Sequence, residues 1–447
     1  MKFIPNSEII DEMLKDIDFK KIDELFSDIP EKIKFKELDL PKGISQQQTD
    51  RKMRDIASKN KSCNEFLCFL GGGIKNHYIP PIVKSITSRS EFYTAYTPYQ
   101  AEASQGFLHA MFEYQSIIAE ITGMDVSNCS LYDGVTGLSE AALMCTRITK
   151  RNSFIIPSNI SWEKKSVLKN YTLGPNVNVK EVAFDEKTGK IKLDDLEKSI
   201  SENTAGIYIE NPNFFGVFED DVERICKIAK DAGSLFVVGV DLLSLGITKS
   251  PGEYGADIVI GEGRVFGNSM DFGGCGLGVF SCKKEYVRQM PGRIIGLTAD
   301  SEGKRGFCMA LQTREQHIRR AKATSNICTN EGLCSLNAVV YLSWLGGKGL
   351  SELAKENLEI SHKLAEMISN IDGFSLRFTG LYFNEFVVKC KNKPENIFKK
   401  LLTKNIQIGP LLGQQFKNLN DCMLVGVTEL HTNHDIEKLV SILKEVS

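Results

Sequence analysis

Several marks of whole functional classes are missing from this 447-residue chain. There is no basic surplus: 55 Lys and Arg stand against 57 Asp and Glu, a net charge of −2. A dedicated nucleic-acid binder needs a cationic face to neutralise phosphates, so that class is not expected. No apolar run approaches the ~20 residues needed to cross a bilayer. The best stretch, Leu235 to Ile247, is split by Asp241, so no membrane partner is expected. The first residues, Met1 to Lys21, are studded with Asp, Glu and Lys and lack the apolar centre of a signal peptide. The chain is therefore read as cytoplasmic. It has no CxxC pair, and its six histidines form neither HxxxH nor HExxH, so no metal site is expected. In a reducing compartment its 12 cysteines are expected as thiols, mostly small buried hydrophobes. There is no internal repeat and no low-complexity segment.

What the chain has is 37 glycines, 42% hydrophobic residues and enough length for two or three domains with a sizeable core. The first ~100 residues read as a helical arm. Ile9, Ile10, Met13, Leu14 and Ile17 recur at helical spacing after a Pro5-Asn6-Ser7 start, and Ile22, Leu25, Phe26 and Ile29 continue until Pro30. A polar stretch, Ser45 to Asn60, separates this part from the run Gly71-Gly72-Gly73. From 101 to 325, helices at Leu108 to Ala119 and Gly137 to Thr149 precede short apolar runs. The runs are Phe154 to Ile156, Val177 to Ala183, Ala205 to Ile209, Leu235 to Val240, Asp257 to Ile260 and Leu277 to Phe280. An amphipathic helix lies among them, with Val222, Ile225, Cys226 and Ala229 on one face and Glu219, Asp220 and Asp221 in its first turn. Such alternation predicts a large α/β domain with a mostly parallel sheet. From 326 to 447, helices at Leu333 to Leu345 and Leu350 to Ile371 meet at Gly346-Gly347. Strands follow at Phe374 to Phe378, Phe386 to Lys389 and Met423 to Thr428, with a last helix around Ile436 to Leu443, which together predict a smaller α+β domain.

Ligands of open α/β sheets bind beyond the carboxyl ends of the strands, so the residues there matter most. Ser130 to Gly137 enters a helix and reads either as a phosphate-binding start or as a tight turn that needs glycine torsions. Glu210-Asn211-Pro212-Asn213 follows a strand and reads as a turn or as a polar group over a ligand ring. Asp241 is costly to bury without a partner, and otherwise caps a turn. Gly261 to Gly267 is followed by a strand, so it fails the context of a dinucleotide-binding fingerprint. Ser90 to Gln100 holds Tyr93, Tyr96 and Tyr99 in a short span, which favours binding over packing. Arg314, His317, Arg319, Arg320 and Lys322 lead into Thr324-Ser325-Asn326, either a solvated face or a site for an anionic group.

Asp241 after one strand, Arg264 after the next and a glycine-rich helix start before both resemble the large domain of fold-type I pyridoxal-phosphate enzymes. Longer segments are more specific. Arg89 to Gln100 (RSEFYTAYTPYQ), Asn211 to Gly216 (NPNFFG), Leu311 to Arg320 (LQTREQHIRR) and Ala323 to Thr329 (ATSNICT) resemble the glycine decarboxylase P-protein family. They match its N-terminal half, which many bacteria carry as a separate subunit. The likeness runs from Met1 to at least Leu353.

This resemblance implies an assembled enzyme that binds glycine as an aldimine with pyridoxal phosphate and releases CO2. The aminomethyl group then passes to the lipoyl arm of H-protein. In the family's working half a lysine holds the cofactor, because only an amine can form the Schiff base. The matching position here is Arg264, whose guanidinium stays protonated. The resemblance therefore implies a subunit inactive alone, with the covalent cofactor on a partner subunit 2 in an α2β2 assembly. Asp133, Gly134, Thr136 and Asp241 become a vestigial cofactor site. Thr324, Ser325 and Asn326 are implied to reach the partner's cofactor phosphate. Tyr93, Thr94 and Tyr96 are implied to line the glycine pocket, with Arg319, Arg320 and Lys322 supporting that loop or the substrate carboxylate. The alternatives are a non-catalytic scaffold or regulator on a decayed fold, and a self-sufficient enzyme using another lysine. Against the last, no lysine lies between Asp257 and Gly278.

Overall fold

A computed structural model describes residues 7–35, 39–63 and 65–446. Pro5 and Asn6 of the expected start signal lie outside the described residues. The chain divides into two compact units, Met1–Lys61 and Ser62–Ser447.

Among its described residues the first unit holds two α-helices, α1 (Ile10–Asp16) and α2 (Gln46–Ala57), with short 3-10 turns between them. The stretch expected as a polar separator is thus the helix α2. Its start is written in the sequence as a capping box: Ser45 Oγ accepts from Gln48 N (3.2 Å), and Gln48 Oε1 accepts from Ser45 N (2.9 Å). Met13, Ile17, Phe35 and Leu40 of this unit are each more than half exposed.

The second unit opens with β1 (Leu67–Leu70), α3 (Pro81–Thr87), α4 (Ser90–Tyr93), α5 (Gln105–Thr122) and β2 (Val126–Ser127). The alternating part follows: α6 (Gly134–Thr149), β3 (Ser153–Pro157), α7 (Trp162–Leu173), β4 (Asn178–Val182), α8 (Leu193–Ser199) and β5 (Thr204–Asn211). It continues through α9 (Val222–Asp231), β6 (Leu235–Val240), β7 (Ile258–Glu262) and β8 (Gly278–Cys282). A hairpin of β9 (Ile294–Ala299) and β10 (Arg305–Ala310), which the sequence reading lacked, leads through α10 (Gln316–Arg319) to α11 (Gly332–Ser369). Next come β11 (Phe374–Leu376), β12 (Glu385–Cys390), α12 (Pro394–Leu402), β13 (Ile406–Gly409), β14 (Cys422–Gly426) and α13 (Asn433–Glu445).

Seven strands form the main sheet in the order β2-β8-β7-β6-β5-β3-β4, with β4, β3, β5, β6 and β7 parallel. β8 runs antiparallel to β7, and β2 to β8. Period-two side chains explain why both faces are covered. Tyr208, Val237 and Ile260 face Leu138, Ala141 and Cys145 of α6, whereas Ile207, Ile209 and Val238 face Ile225 and Ala229 of α9. Each such aliphatic side chain contributes roughly 1.5–3 kcal/mol when fully buried.

The long helix α11 breaks at Gly346 (φ 67°, ψ 171°), where the sequence predicted two helices to meet. β11, β12 and β14 form an antiparallel sheet, and β1 pairs in parallel with β13. The pairing of Leu67 to Leu70 with Ile406 to Gly409 ties residues well before 100 into the second unit, so the first unit ends at Lys61.

After β5 the chain turns back toward β12 at Gly216. Its φ is +80°, and a Cβ there would lie 1.9 Å from the Glu385 carbonyl oxygen. No L side chain fits both conditions. We expect Gly216→Ala to lose at least about 2 kcal/mol of unfolding free energy in denaturant titration. A variant as stable as the parent would contradict this packing.

Candidate functional site

A cleft of about 320 Å3 opens where β5, β6 and β7 end. The start of α6, the segment after Gly71, and the start of β12 complete its wall.

The helix start is satisfied by carboxylates of the same chain. Asp133 caps α6, its Oδ1 accepting from Thr136 N at 2.6 Å. Glu262, at the end of β7, accepts from Gly134 N through Oε2 (3.0 Å), and from Leu277 N (2.7 Å) and Arg264 N (3.1 Å) through Oε1. The loop carrying Gly276 presses so close that a Cβ there would sit 2.6 Å from the Tyr132 carbonyl oxygen and from the Asp133 Cβ. Ser130 to Gly137 is a tight turn, and the N–H groups of Gly134 and Thr136 at the helix start are met by carboxylates of the same chain.

A buried cation occupies the other end. Lys75 Nζ donates to Glu385 Oε1 (2.8 Å), Asn384 Oδ1 (2.8 Å) and Asp241 Oδ2 (3.3 Å). Burial works to lower the Lys75 pKa, but the combined pull of Glu385 and Asp241 leaves it raised, so the group is an ammonium. Glu385 also accepts from Gly72 N (3.2 Å) and Gly73 N (3.0 Å), which fixes the glycine run. Asp241 caps the turn after β6 through Oδ1 (Leu243 N, 3.0 Å) while its other oxygen meets Lys75. On the remaining wall, Glu210 is held by Lys164 and by Tyr208 Oη (2.8 Å).

Arg264 lines the cleft and is only 8% exposed, yet its Nε and Nη1 have no hydrogen-bond partner. Sequence reasoning named Asp133, Gly134, Thr136, Asp241 and Arg264; all but Thr136 line the cleft, and Thr136 is buried with its N–H on Asp133. Glu210 lies in the segment that reasoning marked at the end of β5, while Lys75, Glu262, Asn384 and Glu385 were not named as site residues. Only Glu262 carried a local signal, as a lone acid between two glycines at a strand end.

Two sequence readings change. Glu219 is not in the first turn of a helix, because α9 starts at Val222. It turns inward, accepting from Ile191 N (3.0 and 3.1 Å) and Asn213 Nδ2 (3.2 Å), and burial pushes its carboxyl up to about 7. The Asn211-Pro212 segment is a turn: Asn213 spends its side chain on Phe215 N, Val217 N, Gly189 O and Glu219.

The second group of expected site residues lies elsewhere and does not line the cleft. Tyr93 and Tyr96 are 67% and 85% exposed, and Thr94 Oγ1 donates to Ser90 O at 2.6 Å. Arg319, Arg320 and Lys322 are exposed. Arg314 is different: it is buried and spends its guanidinium on the carbonyls of Met290, Gly292 and Leu311. Thr324 is half-buried, with its N–H on Arg314 O (3.1 Å), and Asn326 is exposed. Ser325 points inward, donating to Glu140 Oε1 (2.9 Å), and is not free for an external phosphate. Burial raises the Glu140 pKa, opposed by that hydrogen bond.

The aromatic and basic segments are joined through Arg293. It bonds Cys328 O, Thr329 Oγ1 and Asn330 Oδ1 and lies 5.7 Å over the Tyr99 ring, against which His317 packs edge-on. Helix α6 serves both places. Its start walls the cleft and its Glu140 holds Ser325, while Tyr132 Oη, just before the helix, accepts from Cys328 N.

Residues 1–443 match the family model of the glycine cleavage system P-protein. Curated relatives include the probable glycine dehydrogenase (decarboxylating) subunit 1 of Carboxydothermus hydrogenoformans, 46% identical over 445 residues (99% of each chain). The same-named protein of Thermococcus kodakarensis is 47% identical over 446 residues, covering 99% of this chain and 98% of that one. Among solved structures, a glycine decarboxylase (P-protein) in inhibitor-bound form superposes with a TM-score of 0.91 at 37% identity over all of both chains. Glutamate decarboxylase of Lactobacillus brevis shares the fold alone, with a TM-score of 0.70 at 13% identity over 93% of this chain and 95% of that one. The fold is that of fold-type I pyridoxal-phosphate enzymes.

Two measurements test this geometry. Lys75→Met keeps the buried stem but leaves Asp241 and Glu385 without their cation, and we expect a loss of about 3–5 kcal/mol near neutral pH. The deficit should shrink in acid, as the orphaned carboxylates take up protons. An equal loss at all pH values would refute the charge argument. For Glu219 the folded-state pKa lies above the ordinary 4.5, so the folded chain binds the extra proton and loses stability as pH rises from about 4.5 to 7. Glu219→Gln should flatten that slope, with a gain of up to about 3 kcal/mol above pH 7. An unchanged slope would mean another group titrates there.

Proposed function

We propose a function from one premise, that this chain belongs to the glycine cleavage system P-protein family: it is the subunit that completes the partner's active site and holds no cofactor itself. The observation that carries this reading is the state of its own cleft. The residues there do not fit a covalently bound pyridoxal phosphate. By the resemblance, Arg264 takes the position of the bond-forming lysine, and a guanidinium cannot form the Schiff base. Asp241, the acid placed for a pyridine nitrogen, already faces Lys75. The helix start that would meet a phosphate carries Asp133 and Glu262 instead, and a dianion placed there would be repelled.

The rest follows as our reading. The chain pairs with a subunit 2 as α2β2 in the cytoplasm, and subunit 2 holds the pyridoxal phosphate on a lysine. The assembled enzyme decarboxylates glycine and passes the aminomethyl group to the lipoyl arm of H-protein. This chain is inactive alone. Its contribution in trans is the rim built from Tyr93, Thr94, Tyr96, Arg319, Arg320, Lys322, Thr324 and Asn326. The exposure of the rim aromatics and basic groups, and of apolar residues in the first unit, supports a role in an assembly. Ser325 acts as a tether that holds this segment to α6 through Glu140.

The test is reconstitution. The isolated chain should show no visible band of lysine-bound pyridoxal phosphate and no borohydride trapping, and glycine–CO2 exchange should need subunit 2. Colour in the isolated chain would overturn the proposal. Arg264→Lys alone should stay colourless, because the neighbouring charges still fill the cleft. Thr324→Val should weaken cofactor affinity or rate of the assembled enzyme about tenfold or more, the loss of one hydrogen bond to a charged group. An unchanged assembly would remove Thr324 from the site.

A further inference from the structure

We propose that Cys275 and Cys334 form a thiol–disulfide exchange site, whose closure locks the glycine-rich loop between β7 and β8 onto the start of α11. The site lies within this chain and does not depend on which subunit holds the cofactor.

The two sulfurs already meet. Cys275 Sγ lies 3.3 Å from Cys334 Sγ, although the residues are 59 positions apart. A disulfide needs about 2.05 Å, so a small rotation of the two side chains closes the gap. Cys275 stands near the end of the loop and is exposed, whereas Cys334, in the first turn of α11, is buried. The fold fixes this approach from both sides. At the start of the loop, Asn268 Nδ2 donates to Cys334 O (3.2 Å) and Asn268 Oδ1 accepts from Asn337 Nδ2 (2.8 Å), so the loop sets out along α11. At its end, Gly276 lies so near Tyr132 and Asp133 that a Cβ would collide with both.

Between these anchors the loop is poorly held. Asp271 (φ 32°) and Phe272 (φ 60°) carry side chains in left-handed backbone, and Gly273 (φ 107°) and Gly274 (φ 75°) follow. Such torsions are costly for residues with a Cβ. Phe272 is fully exposed, so no burial of its ring offsets that cost. A bond at Cys275 supplies the missing restraint. Gly273, Gly274 and Gly276 line the cleft, so the bridge also fixes part of the cleft wall.

In a reducing compartment the pair rests as two thiols. The oxidant is a low-molecular-weight disulfide, RSSR. Burial raises the Cys334 thiol pKa and the contact with Cys275 adds to it, so the exposed Cys275 reacts first. Its sulfur bonds to one sulfur of RSSR, and the other leaves as RS⁻ and takes up the Cys275 proton. Cys334 then gives up its proton and bonds to Cys275 Sγ, and the second RS⁻ leaves and is protonated. Two protein thiols become one disulfide, and RSSR, gaining two electrons, becomes two RSH.

The experiment uses the full chain, first reduced and then equilibrated with mixtures of oxidised and reduced glutathione. Non-reducing peptide mass spectrometry should find a Cys275–Cys334 bridge that excess reduced glutathione reopens. Chymotrypsin cleavage after Phe272 should slow about tenfold or more in the bridged form. Cys334→Ser should trap Cys275 as its mixed disulfide with glutathione, and Cys275→Ser should leave Cys334 unoxidised. No bridge in oxidised glutathione alone, a bridge from Cys275 to another cysteine, oxidation of Cys334 in Cys275→Ser, or equal cleavage of the two forms would each overturn the proposal.

Discussion

The buried ammonium of Lys75 is the constraint on which the cleft depends. Its three acceptors come from two distant parts of the fold: Asp241 ends a strand of the parallel sheet, and Asn384 and Glu385 begin a strand of the C-terminal sheet. A buried charge of this kind is tolerated only when its hydrogen-bonding capacity is filled, and here three acceptors fill it. Glu385 in turn secures Gly72 and Gly73 and touches the close turn at Gly216. One cation thereby sets the spacing between the two sheets at the cleft.

The same cation bears on the proposed reading, in which a fold shared with pyridoxal-phosphate enzymes leaves the cofactor to the partner subunit. Fold does not dictate function; the site does. At each place where the cofactor's charges would be met, this chain supplies a charge of its own. An ammonium faces Asp241, and carboxylates face the α6 start. The result is a cleft whose lining charges are mostly paired within the chain, with Arg264 the exception.

Much of the architecture was legible in the sequence because it rests on local pattern. The buried runs from Phe154 to Phe280 became strands close to where their composition placed them, and Gly346-Gly347 marked the break in α11. The helix α2 reads as polar because its apolar face is short, only Met53, Ile56 and Ala57 in its second half, although Ser45 and Gln48 mark its start. Glu219 looked like a helix-terminal acid beside Asp220 and Asp221, and only the tertiary packing of Asn213 and Ile191 turns it inward. Lys75 gave no signal, since its partners lie 166 to 310 positions away. Arg264 was read from the resemblance, but that its guanidinium stands unpartnered is a fact of packing. The resemblance assigned Ser325 to the partner's cofactor phosphate together with Thr324 and Asn326, and its hydrogen bond to the carboxyl of Glu140 is a contact no local pattern announces.

Arg293 has a consequence of another kind. One side chain clasps Cys328, Thr329 and Asn330 and lies over Tyr99, so the two rim segments share a single support. A substitution in either segment that displaces Arg293 disturbs the other. The two stretches are thus bound together in the drift of the sequence over time, and each restricts which changes the other can inherit.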